Sequence, residues 1–186
     1  VNTVIERVEP TDCMLDLETL GTSPYSPILS IGACAFKPDQ VAPIEDAFYQ
    51  AITLESCLDV GLRPSADTIL WWMDQAAEAR GVFSDPLAVK LPLALDAFTD
   101  WLNSRPLKMW GNSARFDLGL LEAAYKACGK VAPWEFYNER DYRTLKKLTG
   151  ADGIPLNRIG THHNAVDDAI SQAYHLMAIY KGLGLQ

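Results

Sequence analysis

No stretch of the 186-residue sequence approaches the roughly 20 consecutive apolar residues that a membrane-spanning helix requires, so a membrane protein is not expected. The start, Val1-Asn2-Thr3-Val4-Ile5-Glu6-Arg7, lacks the architecture of a signal peptide, and a cytoplasmic location is expected. CxxC spacing is absent among the four cysteines, Cys13, Cys34, Cys57 and Cys128, which argues against a zinc site and for reduced, buried thiols. Neither an internal repeat nor a low-complexity linker appears. With 48% hydrophobic residues, the length suits one domain over residues 1–186. Basic residues are outnumbered as well: 16 Lys and Arg against 24 Asp and Glu give a net charge of −8, which excludes a protein that coats DNA nonspecifically.

The charge is unevenly spread. Residues 1–93 carry 5 basic and 14 acidic side chains, whereas residues 94–186 carry 11 and 10. Arg140, Arg143, Lys146, Lys147 and Arg158 cluster in the second half, and read either as a solvated helix face or as a local patch that follows phosphates.

Hydrophobic patterning predicts an α/β fold. Cys13–Leu17, Ile28–Phe36 and Ala47–Ile52 read as successive strands of a meander, with turns marked by Pro24, Pro27 and Lys37-Pro38-Asp39-Gln40. Leu107–Trp110 reads as a further short strand. Helices are predicted around Ala66–Met73, Leu91–Asn103, Ser113–Cys128 and Asn164–Tyr180. In the third of these, Phe116, Leu120, Ala124 and Ala127 recur at helical spacing and Gly129 is a natural stop.

Within the first strand, Cys13-Met14-Leu15-Asp16-Leu17-Glu18 places two acids in an apolar run. Residues i and i+2 of a strand share a face, so both carboxylates converge on one spot. Desolvated and unpaired, they would repel at a cost of roughly several kcal/mol unless cations lie between them. A buried ion-pair network is the bland alternative, but the strand holds no basic residue. Asp117 is expected in the first turn of a helix, where alone it would read as an acid favoured by the helix dipole. Asn164 is a good N-cap, Asp167 three residues on suits a capping-box-like role, and Asp168 then projects from the helix. His163 stays on the preceding loop, suited to be a general base, with a structural hydrogen-bonding histidine as the alternative. Its neighbour His162 is expected to point elsewhere. Asp141 is expected to cap a helix rather than to take part in chemistry.

These residues resemble the motifs of the DEDDh exonucleases, the superfamily of RNase T, oligoribonuclease and the proofreading subunit of bacterial replicative polymerase. Asp16-Leu17-Glu18-Thr19-Leu20-Gly21 is similar to the family's Asp-x-Glu-Thr-x-Gly. Asn112 with Phe116-Asp117 resembles the second motif, and His163-Asn164-Ala165-Val166-Asp167-Asp168-Ala169 the third, in the family's order. Trp71-Trp72-Met73-Asp74-Gln75 further resembles the branch of phage exonuclease A and mycobacterial exoribonuclease.

The resemblance implies a ribonuclease H-like three-layer fold with a mixed central sheet flanked by helices. It implies two divalent ions, Mg2+ or Mn2+, about 4 Å apart. Asp16 would be shared by both ions, Glu18 and Asp168 would complete one shell, and Asp117 would act on the second ion. His163 would take the proton of the attacking water near neutral pH. Leu20, Gly21 and Thr22 are expected at the terminal nucleotide, with the Leu20 side chain against the base, and Asn112 and Phe116 beside the substrate. Of Trp71 and Trp72, one is expected to pack and the other to stack on a base, and Trp72 is placed among the substrate-binding residues.

The expected activity is 3′-5′ exonucleolytic hydrolysis of single-stranded nucleic acid to nucleoside 5′-monophosphates. DNA is favoured, with RNA or short oligoribonucleotides as the alternative. A silent nucleic-acid-binding module and an enzyme of small nucleotides are the rival classes. The expected partner is a single strand with a free 3′ end, and a homodimer is left open.

Overall fold

The computed structural model describes residues 9–148, 151 and 153–185. Five strands form one mixed sheet in the order β3-β2-β1-β4-β5: β1 Asp12–Thr19, β2 Ile28–Phe36, β3 Ala47–Ala51, β4 Lys108–Gly111 and β5 Glu139–Asp141. The first three make an antiparallel meander, while β4 and β5 run parallel to β1. Helices α1 Leu54–Asp59, α2 Ala66–Met73, α3 Ala77–Arg80 and α4 Leu91–Leu102 follow β3. Then α5 Asp117–Ala127 joins β4 to β5, α6 Tyr142–Lys146 follows β5, and α7 Ala165–Leu183 closes the order. This is the ribonuclease H-like three-layer arrangement that the motifs imply.

Strand periodicity sorts β1 between two cores. Cys13, Leu15 and Leu17 join the cluster under α4 and α5, which includes Phe98, Leu95 and Leu121. Met14 lies on the opposite face, in the cluster built with Leu176, Ala169 and Ala173 of α7. Asp12, Asp16 and Glu18 share the parity of Met14 and therefore face the α7 side. Asp12 is held by hydrogen bonds: the Trp110 indole donates to it at 2.6 Å and the Thr11 hydroxyl at 2.6 Å.

Gly32 decides how closely α7 approaches. It lies opposite Asp16 in the β1–β2 ladder. A Cβ there would stand 2.1 Å from the Ala165 carbonyl carbon and 2.2 Å from the Val166 nitrogen. The first turn of α7 thus rests on bare strand backbone. Gly32→Ala is expected to lift that turn and to destabilise by about 3 kcal/mol, a fall of roughly 6–12 °C in Tm for a chain of this size. A thermal melt within about 2 °C of the parent would contradict this account of the packing.

Several boundaries differ from the sequence expectations. Strand β1 continues through Glu18 to Thr19, so both acids belong to it. Ser113–Phe116, expected to be helical, is a turn, and α5 begins at Asp117. The Ser113 carbonyl accepts from the Phe116 and Asp117 N–H groups, at 2.8 and 2.9 Å, and this turn delays the helix. Strand β5 and helices α1 and α3 were not anticipated, each being too short to show a hydrophobic period, and α6 was signalled only by its cap. As expected, Asp141 caps: it accepts from Thr144 N at 2.7 Å, and also from Ala114 N at 3.0 Å.

Candidate active site

Asp16 and Glu18 from β1 and Asp168 from the first turn of α7 each offer a carboxylate oxygen, all within 4.8 Å of one another. Asp117 is buried, 1% exposed, at the start of α5. It rests against Gly111, where a Cβ would come within 2.9 Å of its carboxylate, and it accepts from Ser113 N at 3.1 Å. A strand and one helix start thus bring three acids together, and the start of α5 places Asp117 near enough for its charge to act on Asp16 and Glu18.

Their electrostatics are unfavourable as they stand. Burial, then the charges of Asp117, Glu18 and Asp168, hold the Asp16 carboxyl well above its ordinary range, against a hydrogen bond donated by Gln172 at 2.8 Å. Burial, with Asp168 and Asp117, pushes Glu18 up to about 8. Burial likewise pushes Asp117 up to about 7, although backbone N–H groups oppose the shift. Among the described residues, Arg158 is the single cation paired with any of the four acids, its Nη1 lying 2.6 Å from Asp168 Oδ1. Clustered, desolvated oxygen donors with so little neutralisation are the chemistry that hard divalent cations satisfy. The donor set therefore fits such ions.

His163 sits on the loop before α7 with φ of 64°. Its backbone N–H donates to Asp168 Oδ2 at 2.9 Å, which fixes the loop to the acidic cluster. The ring stands edge-on to Trp71, with centroids 4.9 Å apart, and stacks on His162 at 3.8 Å. His162 therefore does not point elsewhere, as consecutive loop residues usually do. The left-handed backbone at His163 brings the two rings together, and both line the cleft. Burial, with the neighbouring His162, lowers the His163 imidazole below its ordinary value, opposed by Asp168.

A cleft of about 540 Å³ opens over these groups, lined among others by Gly21, Thr22, Asn112 and Phe116. Leu20, expected to lay its side chain against a base, is 3% exposed and packs with Leu29 and Trp72 beneath the cleft. Its backbone is held from both sides, the N–H on Pro27 O at 2.9 Å and the carbonyl accepting from Ser65 N at 2.7 Å. The two tryptophans divide as expected between packing and opening, but Trp72 is the packed ring. It is 2% exposed with its indole donating to Thr19 O at 2.8 Å, whereas Trp71 is 42% exposed. Both border the cleft, and Gln75 Nε2 returns to Trp71 O at 2.9 Å.

At the head of α7, Asn164 caps as expected, accepting from Asp167 N at 3.3 Å. Asp167 does not complete a reciprocal box. Its carboxylate turns instead to Thr161 N at 2.7 Å, close against Gly160, and so secures the histidine loop. Sequence reasoning missed Gln172 and did not place Arg158 at the acids. Gln172 was recoverable, since it stands four residues after Asp168 and so on the same helix face. The reach of Arg158 to Asp168 depends on a loop path that no local pattern encodes.

An α/β sheet of this order with four acids and a histidine delivered by β1, α5 and α7 defines the DEDDh class of 3′-5′ exonucleases, which are hydrolases. Residues 11–180 match the family described as the 3′-5′ exoribonuclease Rv2179c-like domain, and the chain belongs to that family. Among solved structures, it is similar to the nuclease domain of 3′hExo, a DEDDh family member bound to rAMP, with 18% identity, a TM-score of 0.63 and 96% of each chain covered. It is also similar to Pop2p of S. pombe in its Mg2+- and Mn2+-bound form, with 15% identity, a TM-score of 0.61, and 92% of this chain and 83% of that one covered. A third likeness is to ExoI of E. coli in a complex with single-stranded DNA, with 16% identity and a TM-score of 0.58. That likeness covers 94% of this chain and 40% of ExoI. No curated protein matches the sequence. Among the described residues, no helix is long and apolar enough to cross a membrane.

Proposed function

We propose that the protein removes nucleotides singly from the 3′ end of a single strand and releases nucleoside 5′-monophosphates. The observation that carries this reading is the convergence of Asp16, Glu18 and Asp168 within 4.8 Å beneath a cleft bordered by His163 and Trp71. Asp16, Glu18 and Asp168 would hold divalent cations, Mg2+ or Mn2+, with Asp117 beside them. Bound there, such ions would neutralise the acids and polarise the phosphoryl oxygens. His163, kept neutral at physiological pH, accepts the proton of the water that attacks phosphorus. The bond between phosphorus and the 3′-oxygen breaks, that oxygen takes a proton from water to become the new 3′-hydroxyl, and the products are a 5′-monophosphate and a strand shortened by one nucleotide. Trp71 offers an exposed ring for base stacking, while the backbone at Gly21 and Thr22 borders the same space.

DNA is the first expectation for the strand. RNA is the second reading, and the family description names an exoribonuclease. Matched 5′-labelled DNA and RNA strands, degraded side by side in Mn2+, compare the two directly. Linear strands should shorten one nucleotide at a time to monophosphates, while a circular single strand stays intact. Efficient cutting of the circle would overturn the exonuclease reading, and turnover of free nucleotides with strands left untouched would move the activity to small phosphoesters.

A further inference from the structure

Cations gather around Asn112, at the edge of the cleft. Arg143 and Lys146 stand one turn apart on α6. The Lys146 ammonium lies over the Tyr142 ring, 4.7 Å from its centroid, and its Nζ reaches Asn112 Oδ1 at 3.3 Å. The Arg143 backbone N–H donates to the Asn112 carbonyl at 3.0 Å, so α6 is tied twice to a residue that lines the cleft. Arg158 lines the same cleft and extends its guanidinium to Asp168.

Asp141, the acid nearest this group in sequence, directs its oxygens to the backbone N–H groups of Thr144 and Ala114. Among the described residues, neither Arg143, Lys146 nor Lys147 makes an ion pair. Burial, followed by the charges of Arg143, Lys147 and Arg158, holds the Lys146 ammonium below the ordinary lysine range. A solvated face spreads its cations outward. Here a half-buried lysine is instead pinned between an aromatic ring and a cleft residue amid like charges, an arrangement that an anion relieves.

We propose that Arg143, Lys146 and Arg158 form a seat for phosphodiester groups of the bound strand on the 5′ side of the bond that is cut. This rests on the exonuclease reading above. The two sides of the cleft then divide the work. The Trp71 side, beside the acidic residue Asp67, takes bases, and α6, just outside the cleft and tied to Asn112 at its edge, takes the backbone that follows them. The overall charge of −8 does not oppose this, because the attraction is local and screened beyond about 10 Å at ordinary ionic strength.

The test is binding of a 5′-fluorescein-labelled single-stranded dodecamer, read by anisotropy in EDTA across a salt series. Binding is then measured without turnover, and failure of 3′-end hydrolysis would leave this result standing by itself. Arg143→Gln combined with Lys146→Gln should raise Kd roughly tenfold and reduce the slope of log Kd against log salt by about 0.7 for each phosphate no longer neutralised. Lys126→Gln, on the exposed side of α5 and paired with Glu122 at 2.7 Å, should change neither. Lys146→Arg should retain the affinity, since it keeps the charge. An unchanged Kd and slope in the double variant would overturn the proposal. So would an equal loss in Lys126→Gln, or a loss in Lys146→Arg as large as in Lys146→Gln, which would assign Lys146 to packing on Tyr142.

Discussion

Asp16→Ala is expected to abolish hydrolysis, by at least about 10³-fold, while the fold survives and the Tm in chelator rises. The loss follows from removing the acid at the centre of the cluster, where metal-assisted stabilisation of a phosphoryl transition state is worth several kcal/mol, roughly a factor of ten for each 1.4 kcal/mol. The gain in Tm follows from relief of repulsion, since Asp16 is raised by burial and by all three of its acidic neighbours. Stability should depend on pH accordingly. Glu18 and Asp117 keep their protons up to about 8 and about 7 in the folded protein, against an ordinary carboxylate range near 4. Between those limits the folded state binds more protons than the unfolded one. The contribution of these groups is therefore fullest below pH ~4, falls as pH rises, and is lost above about pH 8. Melting curves in EDTA from pH 5 to pH 8 should show this decline, and Mn2+ should raise Tm more at pH 8 than at pH 5. Appreciable turnover in EDTA, or by Asp16→Ala, would remove the metal-dependent mechanism.

His163→Ala is expected to lower kcat by ~10²- to 10⁴-fold with little change in metal affinity, the usual cost of losing a general base. Burial lowers the imidazole, so its neutral form persists below the ordinary histidine range and the acid limb of the kcat profile should lie there. His162→Ala should stay within roughly tenfold, about 1.4 kcal/mol. Its removal strips cover and a neighbouring positive charge from His163, so the acid limb should move to higher pH. Rates of both variants at saturating Mn2+ from pH 5 to pH 9 separate the two rings. A more damaging His162→Ala, or a His163→Ala with near-normal kcat and the parental profile, would reassign the base.

Short-range rules carried the sequence far. Alternation along Met14-Leu15-Asp16-Leu17-Glu18 put both acids on one face, because a strand has a period of two whatever it packs against. The start of α7 was legible because Asn164 caps through a hydrogen bond three residues away. Those local patterns, with the ordered motifs they carry, determined the fold class and the acidic residues of the site.

What depended on tertiary structure was every relation between segments distant in the chain. Leu20 was expected against a substrate base, yet its side chain is buried with Leu29 and Trp72, and which of two adjacent tryptophans packs depended on the reach of one indole to Thr19 O. The stacking of His162 on His163 depended on a positive φ that histidine propensity does not announce. The distance of Asp168 from Asp16 was set by the absent side chain of Gly32, and the company of Arg158 by the path of its loop. Periods and caps are written in the sequence because they are backbone geometry over three or four residues. Packing across the sheet is decided by which surfaces exclude water together, and that exists only once the chain has closed on itself.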